Sequence, residues 1–401
     1  MTTLVSLLGR GRSVPGTGYR TATYRFPDGT CRTTPFFGPA LAEHLAADRL
    51  VILGTAGSMW DVLIEHLAQG DAQEEARLML VEAAEQEAVG EEHLERLRPL
   101  AEQALGRRVE LMLVPYARNL DEQEALLDHL AEAVQGERVL HFDVTHGLRH
   151  LPMLSLVAAH LLEALHENLR VEEIWYGALD LTRDGITPVL RLQGLMRLQA
   201  WIEAWRRFED DGDYGVFADL LEQEGVPAGE VAALRRAAHF ERLLDLPDAR
   251  RHLLNFLPAL EEPLPGFARL FGRRLRERFR WVRRGALYEQ QRTQAQLHLR
   301  KGDYLRAAIL ATEAVLTRRM ENRGEGDPNR YEDRQRAREA LEQDLRSAQR
   351  DDPLNDFRRL ARLRNALAHA AAPDDRRIRE LLQNPDRLAQ ELERLISKLL
   401  T

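Results

Sequence analysis

The first half of the chain alternates short apolar runs with stretches of helical period. TTLVSLLG (2–9), RLVILGT (49–55), RVELMLVPY (108–116), ERVLHFDVT (137–145) and RVEEIWYGAL (170–179) have strand length and strand composition. Between most of them lie amphipathic segments such as GPALAEHLAAD (38–48) and LLDHLAEAV (126–134). That alternation predicts a parallel α/β sheet covered by helices. Two Asp-Gly pairs flanked by β-formers predict hairpin insertions. One occupies 19–37 and turns at Asp28-Gly29; the other spans Ile174–Leu192 and turns at Asp184-Gly185.

After about residue 192 the strand pattern stops. Helical periodicity continues, broken at EDDGDYG (209–215), EGVPAGE (224–230) and EEPLPG (261–266). These joints predict an α/β domain over 1–192, a helical middle segment over 193–280 and an all-α C-terminal domain over 281–401. No glycine-turned recognition helix stands out in the middle segment, and no internal repeat is visible.

Composition narrows the classes. With 44% hydrophobic and 30% charged residues, the 401-residue chain reads as a soluble globular protein. A net charge of −8 excludes a bulk nucleic-acid condenser, so any nucleic-acid contact falls to local basic patches. Cys31 is the only cysteine, which excludes an intramolecular disulfide or cysteine zinc site and fits a reducing cytoplasm. The apolar stretch Leu4 to Leu8 is too short to span a membrane, and no secretory signal is apparent.

Ligands of open parallel sheets bind beyond the carboxyl ends of the strands. Three such ends are marked here: Gly9-Arg10-Gly11-Arg12, GTAGSMWD (54–61) and DVTHGLRH (143–150), with a helix expected from Gly147. Glycines admit close backbone approach, and a helix N-terminus offers N–H groups to phosphate. The pattern suits an anionic, nucleotide-like ligand. A dinucleotide fingerprint is incomplete, because position 14 is Val, and no Walker lysine follows a glycine loop, since Lys301 and Lys398 are the only lysines. His141 alternates with apolar neighbours and is expected to be packed. His146, between Thr145 and Gly147 at a strand end, is expected to meet the ligand.

DVTHG at 143–147 resembles the Asp-x-Thr-His-Gly signature of a group of CRISPR-associated proteins, and GTAGSMWD and the TATYRF hairpin are similar to that group too. Such proteins carry a CARF domain, a Rossmann-like fold that senses cyclic oligoadenylate. The resemblance covers roughly 1–192. It implies a messenger site built from Gly9, Arg10, Gly11 and Arg12, from Thr55, Ala56, Gly57, Ser58, Met59 and Trp60, and from Thr145, His146, Gly147, Leu148 and Arg149. Cyclic tetra-adenylate is the expected activator.

Members of that group end in a HEPN domain, an all-helical ribonuclease with an Arg-polar-x-x-x-His motif. RNALAH, residues 364–369, matches it with Arg364, Asn365 and His369. Taken by itself the hexapeptide is a helix end with a few polar residues. Asn365 and His369 share a helix face, whereas Arg364 lies about 140° around the axis from His369. It reaches the site through its length or because the helix ends nearby, as Pro373 suggests. Arg362, seven residues before His369, is a candidate second cation. RNA brings its own 2′-OH nucleophile; histidine moves a proton and arginine steadies the charge on phosphorus, without a metal. In HEPN ribonucleases two such motifs meet across a dimer. The resemblance therefore implies a cytoplasmic homodimer, or a higher oligomer, acting in type III CRISPR antiviral defence. It would cleave single-stranded RNA to a 2′,3′-cyclic phosphate and a 5′-OH, with no cofactor, membrane contact or stable DNA complex.

The rival is a sensor or ring nuclease that degrades the messenger in its CARF cleft, with HEPN serving for dimerisation. A more distant rival is a CARF transcription factor. GRRLRERFRWVRRG (272–285), with seven arginines around Phe279 and Trp281, is either an RNA-approach surface or a solvated helix face. The acidic run from Asp71 to Glu95 is expected to be a solvated face.

Overall fold

Each apolar run of the first half forms a strand in a computed structural model of the chain, which describes residues 1–11, 13–14, 18–67, 71–347, 349, 354–369 and 373–400. Two units divide it, Met1–Leu195 and Met196–Thr401. The first runs β1 (Thr2–Leu8), a short ladder of β2 (Ser13–Val14) and β3 (Gly18–Tyr19), β4 (Ala22–Arg25), β5 (Cys31–Thr34), α1 (Phe37–His44), β6 (Arg49–Gly54), α2 (Val62–Leu67), α3 (Asp71–Glu85) and α4 (Glu91–Leu105). It continues with β7 (Arg108–Leu113), α5 (Leu120–Ala133), β8 (Val139–Asp143), α6 (His150–Leu165), β9 (Arg170–Gly177) and β10 (Ile186–Arg191).

The sheet order is β5-β4-β10-β9-β8-β1-β6-β7. The five strands from β9 to β7 are mutually parallel. β1 lies among them and is buried from Thr3 to Leu8, as its unbroken apolar run requires of a strand covered on both faces. From β1 the chain winds outward through β6 to β7, then crosses back to β8 and β9 on the other side. The winding reverses between β1 and β8, and a crevice opens where connections leave a sheet in opposite directions.

The hairpins extend the far edge. β4 and β5 turn through Asp28-Gly29, where Gly29 has φ +88° and Asp28 Oδ1 accepts from Thr30 N at 2.9 Å. β10 runs antiparallel to β9, closed by a 3-10 turn at Leu179–Leu181 and by Asp184-Gly185, both at positive φ. The helix expected from Gly147 begins instead at His150. Gly147 has φ +103°, a conformation no α-helix contains, so a turn separates the strand end from α6.

The second unit holds α7 (Gln193–Asp211), α8 (Ala218–Gln223), α9 (Ala228–Arg242), α10 (Leu246–Phe256), α11 (Gly272–Arg278), α12 (Leu287–Arg300), α13 (Tyr304–Arg323), α14 (Tyr331–Ser347), α15 (Leu354–Ala368), α16 (Arg376–Leu382) and α17 (Pro385–Leu400). α12 and α13 form a hairpin, and α15 and α17 complete a four-helix bundle with them. One apolar core runs from Trp201, stacked on Phe271 at 5.1 Å, through Phe279 and Trp281 to Leu392 and Leu400. α8 and α9 do form a glycine-turned helix pair, with Gly225 at φ +98°. Its turn lies inside the Pro/Gly joint at 224–230, where the local pattern reads as a break between helices. Arg235 of α9 is engaged by Asp219 and Glu222, which neutralise that face. No helix among the described residues is long and apolar enough to cross a membrane.

Candidate functional site

Ser6 of β1 and Asp143 of β8 are ladder partners. Ser6 Oγ donates to Asp143 Oδ2 at 2.7 Å, and Thr145 N donates to Oδ1 at 2.9 Å. Burial drives the Asp143 carboxyl up to about 6, although both bonds favour its ionised form. Thr145 Oγ1 accepts from Gly177 N at 2.7 Å, tying the loop to the end of β9. His146 is half-buried; its Nε2 accepts from Phe37 N, the first residue of α1, at 3.3 Å, and its ring packs on Phe36. Burial pulls its pKa down to about 4, so the ring is neutral at pH 7 and its proton sits on Nδ1. Gly147 lies against Gly9, where a Cβ would come 2.5 Å from Gly147 N, so the two loops can approach only if residue 9 is glycine.

The loop after β6 is held as firmly. Ser58 Oγ accepts from Thr55 N at 2.9 Å and donates to Leu8 O at 2.8 Å. Trp60 is fully buried, packs over Gly54 and donates from Nε1 to Thr55 O at 2.9 Å. Thr55, Ser58 and Trp60 are therefore scaffold residues in this arrangement, and Trp60 presents no face for a base to stack on. Ala56 O accepts from Val89 N, and Met59 N donates to Gly9 O at 3.0 Å.

Between these loops and α3 lies a cavity of about 330 Å³ whose lining includes Arg10, Gly11, Gly57, Met59 and Asp61. Tyr19 OH donates to Asp61 Oδ1 at 2.7 Å on its wall. Arg10 is paired with Glu87, which also accepts from Tyr116 OH at 3.0 Å; both partners hold the Glu87 carboxyl below its usual range. The acidic run thus does more than face solvent. Of the third loop, Leu148 O accepts from Leu151 N, and Arg149 is exposed with no hydrogen bond or ion pair among the described residues. Arg12 lies outside the described residues. His141 is packed as expected, accepting from Trp175 Nε1 at 3.4 Å. The lone hydroxyl of Ser6 in an apolar run was a signal for its role; nothing local marked Glu87 or Tyr116 as partners of Arg10.

In the helical unit, α15 buries Phe357, Leu360 and Leu363. Asn365 and His369 are exposed and Arg364 is half-buried. His369 N donates to Asn365 O at 3.1 Å, so the last turn of α15 closes at the histidine. The side chains of Arg364, Asn365 and His369 have no hydrogen bond or ion pair among the described residues. Arg362 differs: it pairs with Asp375 at 3.1 Å, and that carboxylate also caps α16 by accepting from Arg377 N. The second-cation candidate is thus already engaged. Among the described residues no group of three or more His, Cys, Asp or Glu is placed to hold a metal ion.

Residues 3–179 match the family model described as CRISPR system endoribonuclease Csx1, CARF domain. The matched residues lie within the N-terminal unit. A relative, CRISPR-associated protein MJ1674 of Methanocaldococcus jannaschii, is 25% identical over 266 residues, which cover 61% of this chain and 41% of the relative. The chain thus aligns with less than half of that relative's length. Both matches support a CRISPR-associated, CARF-containing protein. CARF domains in general bind cyclic oligoadenylates. Within the matched region, α6 buries Leu151, Ala158, Ala159 and Leu162 and exposes Met153, Val157, Leu161 and Leu165, a stripe at four-residue spacing. A helix apolar on both faces is ordinarily covered on both.

Proposed function

We propose that the chain is a cyclic-oligoadenylate-activated, metal-independent endoribonuclease of type III CRISPR defence, working as a cytoplasmic homodimer. The observation that carries this reading is the set of side chains at the end of α15 that have no partner among the described residues, in a chain whose other unit matches a CARF domain. The side chains of Arg364 and His369 hold no partner among the described residues, which leaves them available for chemistry. His369 would shuttle the proton of the RNA 2′-OH or of the leaving 5′-oxygen, and Arg364 would meet the charge developing on phosphorus. Asn365, on the same face as His369, would orient substrate or ring. One such set is half a site, and a second copy brings the other half. On this reading residues 281–401 are a HEPN domain and 193–280 a connecting segment.

The stripe on α6 supports the pairing at the sensor end. α6 follows the DVTHG loop directly, so a partner seated on it would bring two crevices together and present two copies of Arg149 to one cyclic anion. A ligand favours the cleaving arrangement only by binding it better than the resting one.

The test is cleavage of single-stranded RNA by the purified protein with cyclic tri-, tetra- and hexa-adenylate, with messenger and RNA products followed separately. One ring, expected to be the tetramer, should switch on cleavage to 2′,3′-cyclic phosphate ends, with EDTA present. Loss of the messenger with RNA left intact would favour the ring-nuclease reading, and neither change would leave a sensor.

A further inference from the structure

The second unit contains a cleft of about 620 Å³ beside α11 that the chemistry above does not use. Five arginines line it: Arg269, Arg273, Arg276, Arg280 and Arg283. Glu261 and Glu277 are the carboxylates on its wall. Arg276 Nη1 donates to Leu260 O at 2.8 Å and Arg273 Nε sits 3.2 Å from Glu277, so both guanidinium groups are anchored. Arg269, Arg280 and Arg283 are exposed and have no ion-pair partner among the described residues. An arginine-rich composition does not account for this. Other arginines of the same stretch are used internally: Arg278 pairs with buried Glu241, and Arg274 lies over the Trp205 ring at 5.9 Å. In a chain of net charge −8, five arginines against two carboxylates leave this concavity with a local excess of positive charge.

We infer that this cleft binds the sugar–phosphate backbone of single-stranded RNA; the choice of RNA rests on the ribonuclease reading. Guanidinium forks match phosphate oxygens. The aromatics of this segment take no part, since Phe279 is 1% and Trp281 2% exposed in the core. With no ring to stack on, the contact reads charge and not base, so it is sequence-independent and strongly salt-dependent. A single strand can fold its backbone into a concavity with its bases outward. A duplex, stiff over about 150 base pairs, cannot.

The experiment uses the full chain carrying His369→Ala, so that RNA is bound but not cut, with and without Arg269→Gln, Arg280→Gln and Arg283→Gln together. Binding of a fluorescent 20-nucleotide RNA is titrated at several salt concentrations. Losing three phosphate contacts should weaken binding about a hundredfold near 0.1 M salt and reduce the slope of log affinity against log salt by about 2. On an active background the triple variant should raise KM for long RNA and leave kcat unchanged. Equal binding by both proteins, or tighter binding of duplex DNA of the same length, would overturn the inference. If the unaltered chain cuts no RNA with any messenger yet shows the binding difference, the cleft assignment stands and the ribonuclease reading falls.

Discussion

The DVTHG loop and the RNALAH helix end are both short polar motifs, yet the protein uses their side chains in opposite ways. In the loop, Asp143 accepts from Ser6 and Thr145, Thr145 holds Gly177, and His146 holds the start of α1. In the helix end, Arg364, Asn365 and His369 hold nothing among the described residues. A polar group with internal partners is already positioned and shapes its surroundings. One without partners at the surface costs little folding energy to keep and is free for a ligand or a second chain. On the proposed reading, the loop is the brace that fixes the crevice and the helix end is the reactive group.

The largest effect should come from the helix end. His369→Ala and Arg364→Ala should each slow messenger-dependent RNA cleavage about a thousandfold. His369→Ala should change stability by no more than about 0.5 kcal/mol, because its exposed side chain holds no partner among the described residues, and Arg364→Ala by no more than about 1 kcal/mol, from the packing of its half-buried stem. A thermal shift of several degrees in His369→Ala would erase the contrast with the loop.

Asp143 should show the reverse, affecting stability before function. Its carboxyl titrates near 3.8 when unfolded and at about 6 when folded, so the folded state holds a proton that the unfolded state gives up. The stabilisation is full below about pH 4 and is lost as pH rises through 6. Relative to Asp143→Asn, which keeps an acceptor for Thr145 N, the wild-type N-terminal unit should lose up to about 3 kcal/mol between pH 4 and 7. Denaturant melts of both proteins across that range measure it, and parallel pH profiles would show that Asp143 is ionised in the fold.

His146→Ala removes the acceptor of Phe37 N and should raise the messenger concentration for half-activation about tenfold, with the maximal rate little changed. His146→Gln, able to accept the same bond, should recover much of the loss. If glutamine does not help, the imidazole contacts the messenger itself. Thr145→Ala and Arg149→Ala should shift the curve in the same direction, the first through the loop and the second through a lost cation.

The smallest effect tests a residue between the two classes. Arg10 lines the cavity but is held by Glu87 in an exposed pair. Glu87→Gln should free it and lower the half-activating concentration about threefold, as a weak surface pair allows. Arg10→Ala should raise it. An unchanged curve for both would remove Arg10 from the messenger site.

Much of this was legible in the chain. Strands fell on the apolar runs because a strand covered on both faces needs no polar alternation, and the Asp28-Gly29 and Asp184-Gly185 pairs marked turns because few residues tolerate positive φ. The exposed face shared by Asn365 and His369 followed from helical spacing, with Phe357, Leu360 and Leu363 on the buried side. These features depend on residues within a turn or two of each other. What the tertiary structure decided concerns residues far apart in sequence. Sheet register put Ser6 against Asp143, 137 positions away, and made a motif aspartate into a brace. Chain crossing brought Glu87 to Arg10, and packing took Trp60, Phe279 and Trp281 out of reach of any base. Local pattern fixes which backbone forms and which face is apolar. Whether a polar side chain is used inside the protein or left free depends on which partners the completed sheet and bundle bring beside it.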